Sequence, residues 1–61
     1  MKRYLNLKTN YGVETIDELN SNDFETLKAF RLELKRLVSE NHSAGLLVYV
    51  SQKADKSWKK K

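Results

Sequence analysis

The stretch from Asn22 to about Asn41, NDFETLKAFRLELKRLVSEN, constrains the fold more than any other part of this chain. Its apolar residues Phe24, Leu27, Phe30, Leu34, Leu37 and Val38 recur at intervals that place them along one face of an α-helix. Such a face must be buried against another element, and the β-like stretches on either side can supply one. The spacing predicts a helix start at Asn22, whose side chain would accept the N3 amide while Glu25 reaches back in a capping box. Asp23 and Glu25 would then sit where the helix dipole favours negative charge. The helix is expected to fade through His42, Ser43 and Ala44 and to stop by Gly45, a residue suited to the C′ position. Glu33 with Arg36, and Arg36 with Glu40, are surface pairs worth about 0.2–0.5 kcal/mol each. Leu32 lies off the stripe and is expected in solvent.

The flanks read as strands. Lys2 to Thr9 alternates, with Leu5 and Leu7 on one side and Tyr4, Asn6 and Lys8 on the other. Asn10-Tyr11-Gly12 offers a tight reversal of open turn type, with a glycine available for positive φ. Val13, Ile16 and Leu19 are spaced by three, which strict alternation does not explain. A strand over residues 13–17 with a bulge is the preferred reading, and a helical turn competes with it. Leu46 to Val50 is short, β-branched and aromatic. Leu46, Val48 and Val50 would join the core, and Leu47, Tyr49 and Ser51 would face away.

The order is therefore β-β-α-β, an α+β fold in which one helix covers one face of a three-stranded, mainly antiparallel sheet. Sheet order 2-1-3 is preferred because it centres the leucine-bearing first strand; a third strand parallel to the second is the alternative. Residues 1–54 form the single domain on this reading. Residues 55–61 form a basic C-terminal tail, whose one apolar anchor, Trp58, can fold back. Leu5, Leu7, Val48 and Val50 would meet Leu27, Phe30, Leu34 and Leu37, so Leu34→Ala is expected to cost about 2–5 kcal/mol.

With 61 residues the chain holds one domain at most, and a domain of that size buries only about 60% of its unfolded surface. The absence of cysteine excludes disulfides and thiolate metal sites. The longest apolar run, Leu46 to Val50, falls far short of the roughly 18 residues of a membrane span. A soluble, cytoplasmic protein is expected. The net charge of +4 is unevenly placed: Lys2, Arg3, Lys8 and the C-terminal lysines flank an arm carrying Glu14, Asp17, Glu18, Asp23 and Glu25. Such a surface can attract nucleic acid, acidic proteins or anionic lipid, although plain solvation accounts for it more economically.

Chemistry is hard to place. His42, the one histidine, sits near the helix end, where the dipole would stabilise its ring, and a structural role is expected. No serine has a triad around it, the acidic residues lie on a polar arm, and Gly12 and Gly45 are isolated. The chain is expected to be non-enzymatic, with no cofactor, metal or small-molecule substrate. A binding role fits better. The sheet face turned from the helix would show Tyr4, Asn6, Lys8, Leu47, Tyr49, Ser51 and Lys53, with Trp58 of the tail beside it. A protein interface there, a homodimer included, is preferred. Single-stranded nucleic acid, with bases on tyrosine rings and phosphates on lysines, is the alternative.

The T-N-Y-G turn (Thr9 to Gly12), the acidic V-E-T-I-D-E-L arm, the Lys-, Arg- and Leu-rich helix, the V-Y-V-S-Q-K strand and the late Trp58 form one pattern. It resembles small uncharacterised phage and prophage proteins of Gram-positive bacteria. The resemblance implies an accessory protein that binds host or viral components in the host cytoplasm, and it assigns no catalytic or binding residue.

Overall fold

The structure, a computed structural model, describes residues 1–56 and 58. Strand β1 (Lys2–Thr9) pairs antiparallel with β2 (Gly12–Asn20) on one side and with β3 (Leu47–Ser51) on the other. The sheet order is β2-β1-β3, with helix α1 (Leu27–Ser43) between β2 and β3 in sequence and packed on one face. The α+β fold and the 2-1-3 order are those expected from the alternation of β1.

The reversal after β1 uses Asn10 and Tyr11. Neither has positive φ, so a primed hairpin turn is excluded, and Gly12 at φ +129° takes the strained position instead. The Thr9 hydroxyl closes the turn, accepting from the Tyr11 amide at 3.1 Å and donating to the Gly12 carbonyl at 3.2 Å.

Strand β2 runs to Asn20, three residues beyond the expected end. Its register slips between Leu5 and Asn6: Leu5 faces Asp17 and Asn6 faces Thr15, which leaves Ile16 as the extra residue of a bulge. The bulge explains the spacing by three. It shifts the alternation by one, so that Leu19, opposite Arg3, turns to the helix face and is buried.

The helix starts later than expected, and the capping box does not form. Asn20 caps a 3-10 turn over Ser21–Asp23, its side chain accepting from the Asn22 amide at 3.0 Å. The chain then extends through Phe24, and the helix cap is Thr26, whose hydroxyl accepts from the Ala29 amide at 3.1 Å. The physical reason is competition among short polar side chains: Asn20 satisfies the local amides first, which leaves the next hydroxyl to start the helix. Two consequences follow. Asp23 and Glu25 precede the helix instead of filling its first turn, and Leu27 becomes a half-exposed first-turn residue rather than part of the core. Phe24 still serves the core from outside the helix, meeting the buried Phe30 edge-on at 5.7 Å between ring centres.

The C-terminus is a Schellman motif. The Leu46 amide donates to the Asn41 carbonyl at 2.9 Å and the Gly45 amide to the His42 carbonyl at 3.0 Å, with Gly45 at φ +83°. The buried apolar side chains among the described residues are Leu5, Leu19, Phe30 and Val48, of which Phe30 and Leu5 are enclosed completely. Leu7, Leu34, Leu37, Val38 and Val50 are only half-buried, and Leu32 is exposed as expected.

Candidate functional site

Directly opposed residues in an antiparallel pair share a face, so the register defines both surfaces of the sheet. The face turned from the helix carries Tyr4, Asn6 and Lys8 of β1, Val13, Thr15 and Glu18 of β2, and Leu47, Tyr49 and Ser51 of β3. It is not open throughout. Asn6 is 2% exposed and Thr15 is 7% exposed, because the chain after β3 returns across the face.

A directed chain of hydrogen bonds holds that return. The Asp55 amide donates to Thr15 Oγ1 at 2.7 Å, and Thr15 Oγ1 donates to Asn6 Oδ1 at 2.7 Å. Asn6 Nδ2 donates to Ser51 Oγ at 2.8 Å, and Ser51 Oγ donates to the Lys53 carbonyl at 2.6 Å. Each hydroxyl has a single proton to give. The Lys53 carbonyl takes that of Ser51, so Ser51 must accept from Asn6, which orients the amide with its oxygen toward Thr15. Farther along, the Trp58 indole N–H donates to Glu18 Oε2 at 3.3 Å, and Glu18 also meets Lys2 Nζ at 3.6 Å. Every buried side-chain nitrogen or oxygen among the described residues has a partner.

The candidate binding residues named from the sequence therefore separate. Asn6 is a buried structural hub, and Tyr4 and Trp58 are half-buried. Trp58 and Asp55, placed in a tail from the sequence, lie against β2, while Ser57 and Lys59 to Lys61 fall outside the described residues. Lys8, Leu47, Tyr49 and Lys53 stay exposed, with Leu47 at 66% and Tyr49 at 46%. Lys8 lies directly opposite Leu47, so this exposed set gathers toward the β3 edge.

The helix side of the same edge holds a feature that periodicity did not isolate. Between α1 and β3 runs an open groove of about 740 Å³ lined by Leu34, Lys35, Val38, Ser39, His42, Ser43 and Val50. His42 closes part of it, with Nε2 3.1 Å from the Val48 carbonyl. A carbonyl only accepts, so Nε2 carries the proton. His42 thus ties the helix end to the strand, a structural role different from the dipole-stabilised ring read from the sequence. The sequence signal for the groove was the pair Leu34 and Val38, one turn apart at the end of the stripe nearest β3.

The two sheet edges differ. The β2 edge has the bulge at Ile16 and the acidic residues Glu14, Asp17 and Glu18, features that discourage a further strand. The β3 edge, Leu-Val-Tyr-Val-Ser, has no charge, proline or bulge, and it is apolar on both faces. Among the described residues no group of three or more His, Cys, Asp or Glu side chains could hold a metal ion, and no helix is long and apolar enough to cross a membrane. Comparison with protein-family models, curated proteins and solved structures finds no match to this chain.

Proposed function

We propose that this protein is a small non-enzymatic binding module that engages another protein through the β3 edge. The observation that carries the reading is the character of β3, an edge strand with no charge whose two faces are both apolar. Strands of that kind are normally central in a sheet, where both faces are covered. Here Leu47 and Tyr49 stand exposed on one side, and Leu34, Val38 and Val50 line a groove on the other. An extended partner segment added to β3 would gain main-chain hydrogen bonds from the edge and apolar contacts from alternate side chains. The likeness to phage and prophage proteins directs the search for that partner to host and viral proteins.

The alternative, single-stranded nucleic acid on the outer face, is less well supported. With Asn6 covered and Tyr4 and Trp58 half-buried, Tyr49 is the exposed ring left on that face for base stacking. The test is an amide-shift titration of labelled protein, with extended apolar peptides in one series and a mixed-sequence oligonucleotide in the other. Shifts confined to Leu46–Ser51 and the groove residues with peptide support the reading. Shifts at Lys8, Tyr49 and Lys53 with oligonucleotide alone, persisting at physiological salt, would replace it with the alternative.

A further inference from the structure

We infer that the occupant of the β3 edge is a second copy of this chain, paired antiparallel strand to strand about a two-fold axis. The inference rests on the proposed use of that edge and names its partner. Three observations select a second copy.

The first is self-complementarity. A two-fold axis perpendicular to the sheet keeps both helices on one side, and directly opposed residues then share a face. Centred on Val48, the axis sets Leu46 opposite Val50 and Leu47 opposite Tyr49 of the second copy, and Val48 opposite its own counterpart. Every residue of the Leu46–Val50 run meets an apolar one, and no like charges stand opposed. The result is one continuous sheet of order β2-β1-β3-β3-β1-β2, with β3 central, its inner face under the helices and, on its outer face, Leu47 packed laterally beside Tyr49 of the second copy.

The second is closure. Pairing β2 with β2 would bring Glu14, Asp17 and Glu18 against their copies across a bulge, and pairing β2 with β3 would propagate without end. Pairing through β3 alone gives a closed dimer that leaves the acidic, bulged strands outermost.

The third is the incomplete burial of the helix. Leu34 and Val38 are half-buried beside Val50 in the groove, and the core has only Leu5, Leu19, Phe30 and Val48 buried among the described residues. A standard interface takes about 800 Å² from each partner, so the groove must join the strand in the contact. The approach of the second helix supplies this by covering Leu34 and Val38 of both copies. Lys35, on the groove rim, can keep its ammonium in water along a flexible stem. The bond from His42 leaves the Val48 carbonyl a second lone pair for a strand partner.

The experiment is sedimentation equilibrium of the full chain from micromolar to millimolar concentration, with two variants. The expected result is a dimer whose dissociation constant is weakened at least about tenfold by Leu47→Lys with Tyr49→Lys, since like charges would then face each other at the axis. Tyr11→Lys, in the fully exposed turn between β1 and β2, should leave it unchanged. Circular dichroism checks that both variants fold. In the cysteine-free chain, Leu47→Cys with Tyr49→Cys should form a disulfide-linked dimer under mild oxidation. A chain that stays monomeric at millimolar concentration overturns the inference, as does a dimer that the lysine pair leaves intact. A monomer that still captures extended peptides at β3 loses the dimer but keeps the binding module; one that captures none loses both.

Discussion

Replacing Thr15 by valine tests the hydrogen-bonded hub directly. Valine matches threonine in shape, suits a strand at least as well and is more apolar, so surface and propensity arguments predict no loss or a small gain. The structure predicts the opposite. Removing Oγ1 takes the donor from Asn6 Oδ1, which lies 2.7 Å away in a side chain that is 2% exposed. A buried acceptor left unpaired costs about 1–3 kcal/mol. The Asp55 amide, also 2.7 Å from Oγ1, loses its acceptor, but it is only part-buried and can turn to water, so it adds little. A net loss of about 1–3 kcal/mol is expected, and each kcal/mol moves the midpoint of a domain this small by about 4–8 °C. Thr15→Ser keeps the hydroxyl and gives up one methyl, about 0.8 kcal/mol before any cavity cost. The valine variant should therefore melt below the serine variant. Trp58, the sole tryptophan, gives a second readout: once the return segment lifts from Thr15, its half-buried indole should emit further to the red. A valine variant that melts at or above the parent, with unchanged emission, refutes the hub.

Three further outcomes are expected. Phe30→Ala, at the one fully buried helix position, should cost about 3–5 kcal/mol, and Leu34→Ala, half-buried in the groove, about 1 kcal/mol; urea midpoints in the reverse order would place the core elsewhere. Gly45→Ala should cost about 1–2 kcal/mol in thermal unfolding, since Gly45 holds φ +83° and a Cβ there meets nothing within 4 Å, so the penalty is backbone strain alone. The hydrogen bond from Arg36 is the main influence holding the Glu33 carboxyl below its ordinary value of 4.5, with the charge of Arg36 adding to it against partial desolvation. A lowered carboxyl contributes stability above its unfolded pKa that is lost as pH falls through the folded one. Helix ellipticity should therefore have an acid limb below about pH 4.5 that Arg36→Met makes shallower. An unchanged limb would show that the pair contributes nothing in solution.

The fold was legible where local pattern and global packing ask for the same thing. Alternation in β1 named the leucine-bearing central strand, the apolar run marked β3, and Gly45 marked the helix end because only a residue tolerant of positive φ closes a Schellman motif. The helix start was not legible. Asn20, Ser21, Asn22, Thr26 and the acidic residues between them all offer caps within one short stretch. Which wins depends on where the hairpin delivers the chain, fixed in part by the Ser21 amide donating to the Met1 carbonyl across the sheet. The bulge at Ile16 was readable as an anomaly in spacing, though its position required the partner strand.

The site was less legible, because alternation tells which face a residue is on and not whether that face is covered. Asn6 was read as exposed since it alternates with Leu5 and Leu7, yet asparagine is a poor strand former in the centre of a sheet. Set opposite Thr15 and Tyr49, one pair from Ser51, it is better understood as a polar requirement that the return segment must satisfy. Its bonds to Tyr49 and Ser51 join residues far apart in sequence, so no local window contains them. That covering also moves the surface available for binding. Once the centre of the outer face is closed over Asn6 and Thr15, apolar residues on both sides of β3 stay exposed or half-buried together: Leu47 and Tyr49 on one side, and Val50 with Leu34 and Val38 on the other. A face interface would have used Tyr4, Asn6 and Tyr49 together, whereas an edge interface uses both sides of one strand. The bulge and the acidic residues protect the opposite edge, so on the proposed reading strand addition falls to β3. On the proposed reading, the same polar network that closes the outer face over Asn6 and Thr15 leaves the edge, and not the face, as the place where a partner would be met.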